Sequence, residues 1–160
     1  MIPSNMLRDF EEEIRSAIKT ANFILKDENG EYRLPEVFEH TLPPISKSSQ
    51  PRVPWVLVTL YSGDQASASD PRQVTLHIIC KTFDDNENMM GYIDSMNLIE
   101  LICQHLYSKT IIAGQYNVIY PYQFAVLDDV RYPYFSAGLA IRVQLPGTTP
   151  QNPIGGYSYV

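Results

Sequence analysis

From Phe135 to Leu145 an apolar side chain occupies every second position: Phe135, Ala137, Leu139, Ile141, Val143 and Leu145. Opposite them stand Ser136, Gly138, Ala140, Arg142 and Gln144. Period two is the signature of a strand, because successive side chains point to opposite faces of a sheet. A run this long needs partner strands and a covering layer for its apolar side. Two segments upstream supply partners. Val56, Val58 and Leu60 alternate with Trp55, Leu57, Thr59 and Tyr61; apolar on both sides, this strand is expected to lie central and covered. Val74, Leu76, Ile78 and Cys80 alternate with Thr75, His77, Ile79 and Lys81. The small, polar stretch from Ser62 to Pro71 between them predicts an antiparallel hairpin with a mobile loop. A further strand is expected from Tyr116 to Tyr120, interrupted at Pro121 and continued with a bend through Tyr122 to Leu127, before a turn at Asp128-Asp129.

Two segments carry helical spacing. Leu7, Phe10, Ile14, Ile18, Ala21 and Leu25 recur at steps of three and four, which predicts a helix from Ser4 to about Lys26. Ser4 is positioned to cap it, and Asp27-Glu28-Asn29-Gly30 to end it, since Asn and Gly accept the left-handed conformation. Glu11, Glu12 and Glu13 read as a solvated face of that helix. Asp84-Asp85-Asn86-Glu87 resembles a helix start. The stripe Tyr92, Met96, Ile99, Cys103 and Leu106, widened by Leu98 and Ile102, predicts a helix that runs to about Tyr107 and packs flat on a sheet. Met89, Met90 and Met96 read as core filling.

The expected fold is therefore α+β: an antiparallel sheet of about four to five strands with two helices packed on one face. An extended arm from Tyr32 to Pro54, broken by Pro35, Pro43, Pro44, Pro51 and Pro54, accompanies a single domain over residues 1–146. Residues 147–160, rich in Pro and Gly and without periodicity, form an extended terminal segment, to be ordered by a neighbour if at all.

The chemistry-bearing residues are sparse. His40, His77 and His105 fall in no metal-ligand spacing, and no Cys-x-x-Cys is present. Cys80 and Cys103 each follow a pair of aliphatic residues and read as buried thiols rather than a disulfide framework. No glycine-rich phosphate cradle precedes a helix, and no Gly-x-Ser-x-Gly elbow occurs. Asp84-Asp85 and Asp128-Asp129 are acid pairs, but each sits where a turn or cap is required. The expectation is a chain that is no enzyme and takes no metal and no cofactor. A net charge of -6 with 12 scattered basic residues disfavours direct binding to nucleic acid. The opening Met1-Ile2-Pro3-Ser4 shows no secretion signal, and no apolar run approaches the roughly 20 residues of a membrane span. The 11 tyrosines and 12 prolines suit contact surfaces and stiff connections.

Several motifs resemble one family. Leu42-Pro43-Pro44-Ile45, the strand start Val53-Pro54-Trp55-Val56 and Lys81-Thr82-Phe83-Asp84-Asp85 are followed by Gly91-Tyr92-Ile93-Asp94-Ser95-Met96-Asn97-Leu98-Ile99-Glu100. Tyr132-Pro133-Tyr134-Phe135 then precedes the closing strand. Together, over residues 42–145, they resemble the tail terminator (tail completion) proteins of long-tailed bacteriophages. Arg142-Val143-Gln144 departs from the pattern where a Trp is frequent. The resemblance implies a homohexameric ring at the head-proximal end of the tail tube. One side would meet the tail tube protein and stop polymerisation; the other would meet the head–tail connector or stopper protein. DNA would only pass through the channel, past an acidic wall that lets it slide. The protein would be made in the host cytoplasm and reside in the virion neck, with no membrane partner.

Candidate assembly contacts under this reading are Gly63, Asp64, Gln65 and Ser67 in the hairpin loop, Pro43 and Pro44 in the arm, and Tyr157 and Tyr159 in the terminal segment. Two other readings stay open. One is a different neck component, a head-completion or stopper protein, whose sheet should be barrel-like. The other is a stand-alone cytoplasmic binding module, or an enzyme with a site assembled from Asp84, Asp85 and Asp128.

Overall fold

In a computed structural model, which describes residues 2–43, 52–88, 90–127 and 131–147, the chain runs α1 (Met6–Ala21), β1 (Leu25–Lys26), β2 (Tyr32–Arg33), β3 (Glu36–Glu39), β4 (Trp55–Asp64), β5 (Gln73–Phe83), α2 (Tyr92–Lys109), β6 (Ile111–Ile112), β7 (Tyr116–Val126) and β8 (Tyr134–Gln144). Six strands form one sheet in the order β3-β4-β5-β8-β7-β6, while β1 and β2 make a separate hairpin. The α+β class agrees with expectation, but the sheet is larger than the about four to five strands that alternation predicts. It is also not wholly antiparallel, because β3 pairs parallel to β4.

The regular run at the end of the chain becomes β8, which lies at the middle of the sheet against β5 over eleven residue pairs from Gln73↔Gln144 to Phe83↔Tyr134. Val74, Leu76, Ile78 and Cys80 of β5 and Ala137, Leu139, Ile141 and Val143 of β8 are buried on one face. They form one core with Phe10, Ile14 and Ile18 of α1 and Leu98, Ile102 and Leu106 of α2. Both helices pack on this face, as expected. The opposite face carries Trp55, Leu57, His77, Ile79 and Ala140, all partly buried.

β4 is not central. It stands second from one edge, because Glu36–Glu39 supplies a short strand free of proline between Pro35 and His40. The expected arm is thus partly regular, containing β2 and β3; residues 44–51 lie outside the described residues.

Both helix boundaries differ from expectation. α1 ends at Ala21, where Asn22 turns left-handed (φ 49°). The Phe23 amide donates to the Ile18 carbonyl at 3.1 Å, closing a Schellman-type stop that satisfies carbonyls of the last turn. Asp27-Glu28-Asn29-Gly30 instead turns the β1–β2 hairpin. There the Asp27 carboxylate accepts from the amides of Asn29 (2.8 Å) and Glu31 (3.0 Å). Nor does Ser4 cap α1: the residue at the cap is Asn5, without a side-chain capping bond. α2 begins only at Tyr92, because the acidic stretch is spent on local turns. Asp84 Oδ1 accepts from the Asn86 amide at 2.9 Å and Asn88 Oδ1 from the Met90 amide at 3.2 Å. The helix starts after Gly91, where a Cβ would lie 2.7 Å from Asp84 Cβ and against the Phe135 ring.

Both strands that flank the central β5–β8 pair are broken at one level of the sheet. β4 gains one residue on β5 between Leu60↔Leu76 and Ser62↔Thr75, leaving Tyr61 as the bulge. β7 advances four residues against two of β8 between Ile119↔Arg142 and Gln123↔Ala140, leaving Tyr120-Pro121-Tyr122 as a wider one. Since Leu76 pairs with Ile141 and Thr75 with Arg142, the two bulges share a row. Pro121 lacks the N–H a ladder needs there.

A candidate assembly surface along the β7 edge

β6 pairs with β7 only at Tyr116 and Asn117. Beyond that, the Val118 amide donates to the Thr110 carbonyl at 2.7 Å and the Tyr107 hydroxyl to the Ile119 carbonyl at 2.9 Å. From Tyr120 to Val126, no strand among the described residues lies on the outer side of β7. This stretch is exposed throughout, with Tyr120 at 70 % and Phe124 at 60 % of full exposure.

The bulge adds two residues, an even number, so side-chain parity survives it. Tyr120, Tyr122 and Phe124 therefore stay on the helix side, in line with buried Tyr116 and Val118. They form a ladder of rings with Tyr107 of α2. Tyr107 meets Tyr120 at 4.7 Å and Tyr122 at 5.0 Å between centroids, and Tyr122 meets Phe124 at 6.5 Å. Burial pushes the Tyr107 hydroxyl up to about 12, so it remains a donor to the Ile119 carbonyl.

Between this ladder and α2 lies a cleft of about 240 Å³, lined by Met96, Ile99 and Cys103 of α2, Tyr122 and Phe124 of β7 and Leu139 of β8, with Asn97, Glu100 and Gln104 at its polar rim. Its walls offer apolar contact and its border offers hydrogen bonds, a combination found where one chain seats the side chains of another.

The described residues among those singled out from the sequence, Gly63, Asp64, Gln65, Ser67 and Pro43, lie elsewhere. Gly63 and Asp64 close β4 at the far edge, where Asp64 meets the Arg142 guanidinium at 3.3 Å. Gln65 and Ser67 are turned inward on their own loop, Gln65 Nε2 donating to the Asp70 carbonyl (2.9 Å) and Ser67 Oγ to the Asp70 carboxylate (2.7 Å). Pro43 follows β3 and is partly buried. Pro44, Tyr157 and Tyr159 lie outside the described residues, as do Asp128 and Asp129. The structure thus brings the loop residues Gln65 and Ser67 together around Asp70. Sequence reasoning missed Tyr107, Tyr120, Tyr122 and Phe124; the signal was aromatic residues at alternate positions around Pro121.

The titratable groups are engaged in structural pairs. His77 stacks on Tyr61, centroids 4.0 Å apart at 13°, and burial lowers its pKa. His105 bonds Glu13. Cys80 and Cys103 are buried free thiols. Asp85 pairs with Lys26 at 3.3 Å; burial and the neighbouring Asp84 charge raise the Asp94 carboxyl. Among the described residues no three His, Cys, Asp or Glu side chains are placed to hold a metal ion, and no helix is long and apolar enough to cross a membrane.

Neither a family model nor a curated protein matches the chain. Among solved structures it is similar to a chain of the virion of a native gene transfer agent particle, at 11% sequence identity and a TM-score of 0.35, over 69% of this chain and 78% of that chain.

Proposed function

We propose that this protein is a structural virion subunit of the tail terminator type, assembling as a ring that caps the head-proximal end of a phage tail tube, stops its growth and presents the joining surface for the head. The reading assigns the chain no catalysis and no cofactor. Its partners are further copies of itself, the tail tube protein and the connector or stopper, with DNA only passing through.

The observation that carries it is the unlike character of the two sides of the sheet. One is bounded by β3 and the bulged end of β4, the other by β6 and the open aromatic stretch of β7. A ring of identical copies needs a head-to-tail contact between two different surfaces of one chain, and a molecule with two unlike sheet margins has them. The motifs over residues 42–145 support the specific role. The open sheet, with separate margins at β3 and β6, favours this reading over a neck component built on a closed barrel.

Two experiments test it. Light scattering on the purified chain should give a single closed oligomer, six copies by the family resemblance; a monomer argues against the reading. Particles from a strain lacking the gene should show overlong tails without heads, whereas tails of normal length joined to heads would refute it. Removing residues 65–71, the tip of the β4–β5 hairpin, should disturb tail length if that loop touches the tube.

A further inference from the structure

A strand at the margin of a sheet presents outward amides and carbonyls on which another chain can pair. At β3 the outward groups follow from those turned inward. The Glu36 amide donates to the Pro54 carbonyl at 3.3 Å and the His40 amide to the Val58 carbonyl at 2.7 Å, both toward β4. Backbone direction alternates along a strand, so Val37 and Glu39 turn their amides and carbonyls away from β4.

Both outward carbonyls are already engaged. Arg15 Nη2 of α1 donates to the Val37 carbonyl at 3.0 Å. The Thr41 amide donates to the Glu39 carbonyl at 2.7 Å, across a three-residue turn in which His40 stands at φ 71°. The guanidinium is anchored on its own helix, since Arg15 also bonds Glu11 one turn earlier. Arg8 of the same helix pairs with Glu39 at 3.6 Å. Arg8, Glu11 and Arg15 recur at steps of three and four, so they form one line of α1 laid along β3. The groove beside this margin, about 380 Å³, has Glu11, Arg15, Glu36 and Glu39 in its walls. A strand entering it has to strip water from these charges and displace a charge-assisted bond.

We infer that Arg15 is a guard of the β3 margin: its guanidinium holds the carbonyl that an added strand needs, so chains meet this margin through side chains and do not extend the sheet across it. Glu11 is the positioning residue that keeps the guanidinium in place. The inference is independent of the ring reading and adds one constraint to it: a contact between copies made here is not a continuous sheet.

The test compares full-length wild type, Arg15→Met, Arg15→Lys and Glu11→Gln by light scattering over a concentration series, with a cross-β dye and a thermal melt on each. Met keeps an unbranched stem and loses every donor, whereas Lys keeps a charged one. The wild type sets the baseline mass, and that mass alone bears on the ring reading. Arg15→Met should begin to grow in mass and bind dye at a concentration about tenfold below that of the wild type, the effect of one lost charge-assisted bond. Glu11→Gln should fall between the two, and Arg15→Lys should follow the wild type. Adding Glu39→Pro to Arg15→Met removes an outward amide and spares the bonds to β4, so the growth should disappear. If Arg15→Met melts below the working temperature, Glu11→Gln decides. Folded variants that keep the baseline mass overturn the inference. Growth that survives Glu39→Pro overturns it too, since the added strand then pairs at another margin.

Discussion

Glu13 of α1 bridges His105 and Lys109 of α2: its Oε2 lies 2.6 Å from His105 Nε2 and its Oε1 accepts from Lys109 Nζ at 2.7 Å. His105 and Lys109 are one helical turn apart, so one carboxylate spans both and ties the helices to each other above the sheet. Burial raises the Glu13 pKa, but the hydrogen bonds from Lys109 and His105 outweigh it and hold the carboxyl below the ordinary glutamate value.

The sign of the resulting pH dependence follows. A folded-state pKa that is depressed contributes stability present above the unfolded value and lost as pH falls through the folded one. Denaturant midpoints measured across the acid range should fall below the ordinary glutamate range. Glu13→Gln should flatten part of that fall and cost about 0.5–1 kcal/mol at neutral pH. Equal pH profiles for the two proteins would show that the bridge contributes nothing.

Gly91→Ala should destabilise by about 1–3 kcal/mol, since the added methyl meets the Phe135 ring and Asp84 Cβ with no free volume. Thermal unfolding checks this. Gly138→Ala is the control: its Cβ would meet only the Leu127 side chain at 3.4 Å or more, and its melt should shift far less.

Leu76→Ala removes a side chain with no exposure at the centre of β5. The expected cost is about 2–5 kcal/mol, from lost transfer energy and the cavity left behind. Urea unfolding with an unchanged slope would attribute the loss to packing. A cost below about 1 kcal/mol would mean that the core collapses freely around the gap.

Cys80 should resist modification. Burial pushes its thiol up to about 12, so almost no thiolate exists at pH 8, and the sulfur is sealed beneath α2. A thiol reagent applied to native protein should leave Cys80 unlabelled and modify it fully in denaturant. Rapid labelling in native buffer would contradict the burial.

Much of the sheet is legible in the sequence because burial on one face imposes period two on β4, β5 and β8. The core face of each strand reads directly from Val56-Leu57-Val58, Val74 to Cys80 and Phe135 to Leu145. β3 is not legible: Val37 and Phe38 between two glutamates carry no alternation, and the strand forms only because β4 offers an edge. Helix ends escape for a different reason. Asn22 and Asn29-Gly30 are equally able to turn left-handed, and Leu25 extends the helical spacing by coincidence, since its burial comes from the β1–β2 hairpin. The β7 aromatic residues alternate around Pro121 like the rest of a core strand; that they stand at an exposed margin of the sheet is set by the tertiary arrangement, which that alternation does not reveal.

The paired bulges at Tyr61 and Tyr120-Pro121-Tyr122 bear on how copies add to one another. A long, flat, unpaired strand margin is a template on which further chains stack without limit, the geometry of a fibre. Here the ladder is interrupted at the same height on both sides, by Tyr61 on β4 and by Tyr120-Pro121-Tyr122 on β7. A margin broken in this way offers no long, flat template along which a second full-length sheet could zip. Unlimited edge-to-edge stacking through this margin is thereby disfavoured.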